Sequence, residues 1–161
     1  MNVSSLGTRW RSLAPSFLSI LRIVAAFLFM QFGTAKWFAF PAPIMPDGST
    51  VALASLVGVA AILEAVGGLL LLVGLFTRPV AFLLSGQMAV AYFVGHAPQG
   101  FWPVLNQGTP AILFSFLWLY LSAVGPGPWS LDALRARAEP TDSRADVSFS
   151  ASTDRRLSKA Q

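Results

Sequence analysis

Cysteine is missing from this 161-residue chain, and histidine occurs once, as His96. The first absence excludes disulfides, iron–sulfur ligation, CxxC redox chemistry and a cysteine nucleophile together. The second excludes bis-histidine haem ligation and a multi-histidine centre, so no metal site is expected. Electron transfer by such a chain would need a diffusible carrier such as a quinone, or a partner subunit. Charge is scarce too. Charged residues make up 11% of the chain, against about 25% in soluble domains, while hydrophobic residues make up 55%. Much of the chain therefore sits in a solvent that tolerates few charges. The net charge of +4 is not a nucleic-acid footprint, because the basic residues flank apolar segments instead of forming a stripe. They read as orientation signals at a membrane boundary.

What is present is a set of apolar segments. A helical span takes about 20 mainly apolar residues. Four segments come near this: Phe17 to Trp37, interrupted by Arg22; Val51 to Phe76, with Glu64 as its single charge; Pro79 to Gly95; and Pro110 to Val124. The last two are short, within reach of a thin bilayer. Pro41, Pro43, Pro46, Asp47 and Gly48 break the chain after the first segment, and Gly74 and Pro79 bracket a turn between the second and third. Thr109 followed by Pro110 has the pattern of an N-cap with proline at the first helical position. Gly125-Pro126-Gly127-Pro128 stops the fourth helix. Ser130 is placed to cap a short helix through Ala138, lying along the membrane surface. No small-x-small cleavage site follows the first segment, so it is expected to remain as a span.

The fold expected is all-α: an integral membrane four-helix transmembrane bundle with a short juxtamembrane helix. Residues 1–16 form an N-terminal cytoplasmic segment, 17–134 the membrane domain, and 135–161 a polar tail expected to be disordered. Arg9, Arg11, Arg78, Arg135, Arg137 and Arg144 fall on one side and Lys36 on the other, which places both termini in the cytoplasm. Trp10, Trp37, Trp102, Trp118 and Trp129 read mostly as interfacial anchors.

Glu64 is the residue that most needs explaining. A carboxylate near mid-span costs roughly 2.5–3.5 kcal/mol on insertion scales and usually faces a bundle interior. Ala54, Gly58, Ala61, Ala65 and Gly68 form a small-residue seam beside it, along which another helix can approach. Glu64 is either a proton-handling or ligand-contacting group, or the structural partner of Arg22, about 9 Å away in depth by helix rise. Arg22 could equally snorkel to the headgroups. Gln31 and Gln87 complete the candidate intramembrane polar site, with packing between helices as their simpler role. Lys36, Arg78, His96 and Asn106 are the candidate interfacial polar residues; Arg78 reads first as a helix-end group, and His96 as a solvated end residue or a proton relay.

Taken in order, Leu21-Arg22-Ile23, Gly33-x-x-Lys36, Glu64-x-x-Gly67-Gly68, Gly74-Leu75-Phe76-Thr77-Arg78, His96, Asn106-x-Gly108 and Gly125-Pro126-Gly127-Pro128-Trp129-Ser130-Leu131-Asp132 resemble the DoxX family over residues 17 to 134. The resemblance implies a small bacterial inner-membrane protein of four helices. It further implies association with membrane oxidoreductase assemblies, in quinone-linked sulfur oxidation or oxidative-stress metabolism. Its matching positions make Arg22, Lys36, Glu64, Arg78, His96 and Asn106 the candidate polar site. Two departures argue against acid–base chemistry by the chain itself. Thr109 and Pro110 stand where many relatives carry an acid, and Gln31 stands where many carry a histidine.

Three functions remain open on these residues. The first is a non-catalytic accessory subunit of a membrane oxidoreductase system, touching a quinone. The second is a small transporter or permease, and the third a structural membrane scaffold. The partners expected are the lipid bilayer, redox-enzyme subunits and a second copy of the chain, with no nucleic acid.

Overall fold

The computed structural model describes residues 3–45 and 47–138, and all regular structure among them is helical. Helix α1 spans Val3–Phe38, α2 Leu56–Val73, α3 Thr77–Ala91, α4 Thr109–Val124 and α5 Leu131–Ala138. A π-helical turn, Tyr92–His96, and a 3-10 turn, Ala97–Gln99, prolong α3. Three segments are long and apolar enough to cross a membrane: Trp10–Phe38, Leu56–Val73 and Thr77–Gln99. Helix α4, at 16 residues, is shorter.

The helices start and stop where local chemistry dictates, with three departures from expectation. Helix α1 begins at Val3, so residues expected as a separate N-terminal segment are helical, and the helix runs through Pro15. At 36 residues it is about 54 Å long, well beyond a hydrocarbon core of about 30 Å. Helix α2 starts at Leu56 and not near Val51, because Ser55 takes the cap: its hydroxyl accepts the Gly58 amide at 3.0 Å. Thr109 is inside α4 and does not cap it. Gly108 holds the cap position, its amide already bound by Asn106 Oδ1 at 2.8 Å, so the chain enters the helix one residue early. Ser130 does cap α5, accepting the Ala133 amide at 3.1 Å. Helix α5 passes the expected domain end at 134, so residues 135–138 of the tail expected to be disordered are helical, and the rest of that tail, 139–161, lies outside the described residues.

The interior combines a few large apolar residues, Phe29, Leu71, Leu84 and Trp118, with small and polar ones, and many other large apolar residues face outward. Phe82, Phe93 and Phe116 are each about two-thirds exposed, whereas Arg22 and Glu64 are almost fully buried. A soluble monomer rarely exposes apolar surface on this scale; lipid is the solvent that matches it. Helix α1 lies against α2 and α3 against α4. Gly33 of α1 sits against Ala61, Glu64 and Ala65 of α2, and Gly68 sits against Met30. The small-residue seam is thus buried from Gly58 to Gly68, while Ala54 is exposed. Neighbouring Gly67 faces Leu84 of α3 instead. Phe29 of α1 packs edge-on against Trp118 of α4 at 5.4 Å between ring centroids, which closes the bundle. Trp118 is fully buried, so this tryptophan is a core residue and not an interfacial anchor.

Candidate functional site

The bundle has two polar ends. At the Arg22 end, the chain satisfies helix termini with side chains. Arg22 reaches from α1 to the last carbonyls of α2, Leu71 and Leu72, and to the carbonyls of Pro126 and Trp129 in the segment before α5. Carbonyls at and beyond a helix end are short of amide partners, although Leu71 also accepts from the Gly74 amide at 3.2 Å, and a guanidinium fork presents five donors to them. Arg78 does the same for α4, donating to the carbonyls of Ser122, Ala123 and Val124. Asp132 caps α3 from α5, its carboxylate accepting the Phe76 amide at 2.9 Å and the Thr77 amide at 2.8 Å. Ser19 accepts the Trp129 amide at 3.2 Å. Four helices are knitted together by one short segment.

Arg22 is therefore neither paired with Glu64 nor free to snorkel. Depth along a helix axis suggested the pairing, but the backbone carbonyls lie closer. Glu64 pairs with Lys36 instead, both carboxylate oxygens standing 2.7 Å from Nζ. Lys36 is near the end of α1, yet a helical side chain leans toward the N-terminus of its helix, which carries its ammonium inward. Gly33 and Lys36, three residues apart, share the face applied to α2. Gln87 of α3 adds a third member, donating from Nε2 to Glu64 Oε1 at 3.2 Å and to the Ala60 carbonyl at 3.5 Å. The Glu64 side chain is 3% exposed and that of Lys36 20%, so the pair is enclosed but reachable from the lysine side.

Two cavities border this centre. One, of about 580 Å³, lies inside the bundle at the Lys36 end, lined by Phe29, Phe114 and Thr109 together with Lys36, Glu64 and His96. The other, of about 680 Å³, is a groove between α2 and α3, walled by outward-facing Leu56, Phe82, Leu83 and Val90. Lys36, Glu64 and His96 line both. His96 sits on the π-helical turn, a distortion frequent at functional sites. Its Nδ1 is 2.9 Å from the Asn106 carbonyl oxygen, which can only accept, so Nδ1 donates and Nε2 is left for other partners. Asn106 is itself buried and fastens the loop, with Nδ2 donating to the Gly100 carbonyl and Oδ1 accepting from Gly108.

The structure thus brings Lys36, Glu64, Gln87 and His96 to the walls of one groove. It leaves Arg22 and Arg78 at the opposite end, and Asn106 behind His96. Gln31 lines a separate cleft with Pro41, Ala42 and Pro43. Thr109 enters the interior cavity as part of its lining. Among the described residues, no three His, Cys, Asp or Glu side chains come together as a metal site.

Apolar helices enclosing a charged pair define a helical membrane protein. This chain belongs to the DoxX family, whose model matches residues 17–97. An uncharacterized Haemophilus influenzae protein is 46% identical over 121 residues, covering 73% of this chain and 90% of the relative. The Escherichia coli inner membrane protein YphA is 28% identical over 134 residues, 73% of this chain and 89% of that protein. No solved structure matches the chain.

Proposed function

We propose that the chain is an accessory subunit of a bacterial inner-membrane oxidoreductase system, crossing the bilayer four times and touching a quinone at the Lys36–Glu64 centre. The observation that carries this reading is a full charge pair inside the apolar interior, bordered by a groove whose walls face lipid. Ionisable groups at such depth are expensive, and those present are functional more often than not.

Helix α4 counts as the fourth span because its ends are level with those of α3. Arg78 in the first turn of α3 holds the last carbonyls of α4, and the Asn106 loop ties its start to His96. Both termini are assigned to the cytoplasm. Arg11, Arg78, Arg135 and Arg137 gather at the Arg22 end, while Lys36 at the other is neutralised by Glu64.

A quinone fits the residues present. Its ring matches the apolar walls, its tail the lipid side, and its oxygens need donors of the kind Lys36 and His96 carry. A bound quinone would supply the electron-accepting chemistry that no side chain here offers. The chain's own part is to hold the head group, to keep water out with Phe82 and Leu83, and to hold a proton at Glu64 or His96. The test is Glu64→Gln in native membranes: quinone-dependent activity falls while protein abundance holds. Unchanged activity at normal abundance refutes the proposal.

The interior cavity favours a second reading, a proton-coupled permease, because it reaches the same carboxylate from the Lys36 end. Purified protein in liposomes that moves neither protons nor solutes disposes of it.

A further inference from the structure

Two glycines on the α2–α3 groove have no packing reason to be glycine. A β-carbon added at Gly86 or Gly95 would meet no atom within 4 Å. Gly33, Gly67 and Gly68 differ, since a neighbouring helix occupies that space. A glycine inside a helix is less stable than alanine there, so room at these two positions is retained against local stability. The groove that gains this room also has Lys36, Glu64 and Gln87 in its lining.

Hydrogen-bonding capacity is left over at the same place. Lys36 Nζ carries three N–H donors, and Glu64 takes two. Gln87 directs its NH2 group at Glu64 and at the Ala60 carbonyl, while its Oε1 is enclosed with no partner. Both NH2 partners accept, so turning the amide round would lose both bonds, and the oxygen is the end without a partner. An enclosed carbonyl oxygen without a donor is unfavourable, and native structures rarely leave one unexplained. Lys36 and Gln87 meet on the same atom, Glu64 Oε1, at 2.7 and 3.2 Å, so the two side chains are neighbours at one point of the groove lining.

We infer that the α2–α3 groove binds the head of a membrane-soluble molecule bearing a hydroxyl group, which donates to Gln87 Oε1 and accepts from the third N–H of Lys36. The apolar remainder of the ligand lies along Phe82, Leu83 and Val90. For a quinone carrier this selects the reduced form, because a carbonyl oxygen accepts but cannot donate. The inference rests on the reading of this centre as a carrier contact and adds the chemical class of the head group.

The experiment uses para-nonylphenol and its methyl ether, a pair alike in shape but differing in the donor. Each is titrated calorimetrically into the purified full-length protein in dodecyl maltoside, with empty micelles subtracted. The phenol binds about tenfold tighter than the ether, as expected for one enclosed hydrogen bond. Gln87→Met brings the two affinities together. Gly86→Phe fills the groove and weakens both ligands at least tenfold with the melting temperature retained; should it melt early, Gly95→Leu carries the same test. Equal affinities in the unaltered protein overturn the inference, because the groove then holds only acyl chains. Undiminished phenol binding after filling overturns it too, as does a filled groove that changes only the mass of the protein in micelles, since the occupant is then a second copy. If the hydroxyl preference is absent while Glu64→Gln still lowers membrane activity, the inference fails and the accessory role stands. If the preference is present while Glu64→Gln leaves activity unchanged, the accessory role fails and the groove assignment stands.

Discussion

The two ends of the bundle use charge in opposite ways. At the Arg22 end, Arg22, Arg78 and Asp132 are matched to helix termini that would otherwise be unpaired. At the Lys36 end, Lys36 and Glu64 are matched to each other and not to the backbone of a helix terminus, with an unpartnered Gln87 oxygen and two cavities beside them. The first arrangement commits its charged groups to the backbone of the fold, although the Thr77 hydroxyl there is also buried without a partner. The second holds hydrogen-bonding capacity in reserve. On the function proposed above, a charge that completes backbone bonding is structural, and a charge pair with spare donors beside open space serves a molecule outside the chain.

Removing Arg22 should break this contrast hardest. Arg22→Met leaves carbonyls from two segments without a donor and lowers stability by roughly 3 kcal/mol or more. Arg22→Lys restores little, because one ammonium cannot serve a fork of carbonyls. Thermal unfolding in micelles checks both, and an unchanged midpoint in Arg22→Met would remove the structural assignment of that end.

A smaller loss follows at the helix crossing. In Gly33→Leu, the new side chain meets the Ala61 carbonyl and the Ala65 amide of α2, so the backbones must separate. The cost is about 1–3 kcal/mol, and it extends to the Lys36–Glu64 pair, since Lys36 lies one turn away on the same face.

Asp132→Asn is milder, at about 1 kcal/mol, because the amide keeps one acceptor oxygen and loses the other hydrogen bond and the charge. Burial raises the Asp132 carboxyl, but amide hydrogen bonds from Thr77 and Phe76 and the charge of Arg135 outweigh it and hold it below the ordinary carboxylate range. Its contribution is complete above the unfolded value of about 3.9 and is lost as pH falls through the lower folded value. The difference between wild type and variant therefore stays level above about pH 5 and closes in acid. A gap that widened in acid would contradict the assignment.

Much of this was legible in the residues and some was not. Proline and glycine punctuation located all four apolar segments, because backbone chemistry acts locally. The burial of Glu64 beside Ala61, Ala65 and Gly68 was legible for the same reason: a helix face can be read from spacing. The partners were not. Arg22 binds carbonyls more than one hundred positions away, at Pro126 and Trp129, and no periodicity reports on a carbonyl. Lys36 read as interfacial because position along the chain gives the depth of a Cα, not of an ammonium several bonds away. Trp118 read as an anchor because composition places tryptophan at membrane boundaries, whereas contact with Phe29 places it in the core.

The most direct measurement replaces Lys36 and Glu64 together, as Lys36→Met with Glu64→Leu, and reads stability and quinone-dependent membrane activity on the same preparation. Removing both members of an enclosed ion pair is close to neutral for folding, within about 1 kcal/mol, so the protein should accumulate normally and melt as before, with its activity lost. A stable double variant with full activity would make the pair a lock of the bundle and nothing more.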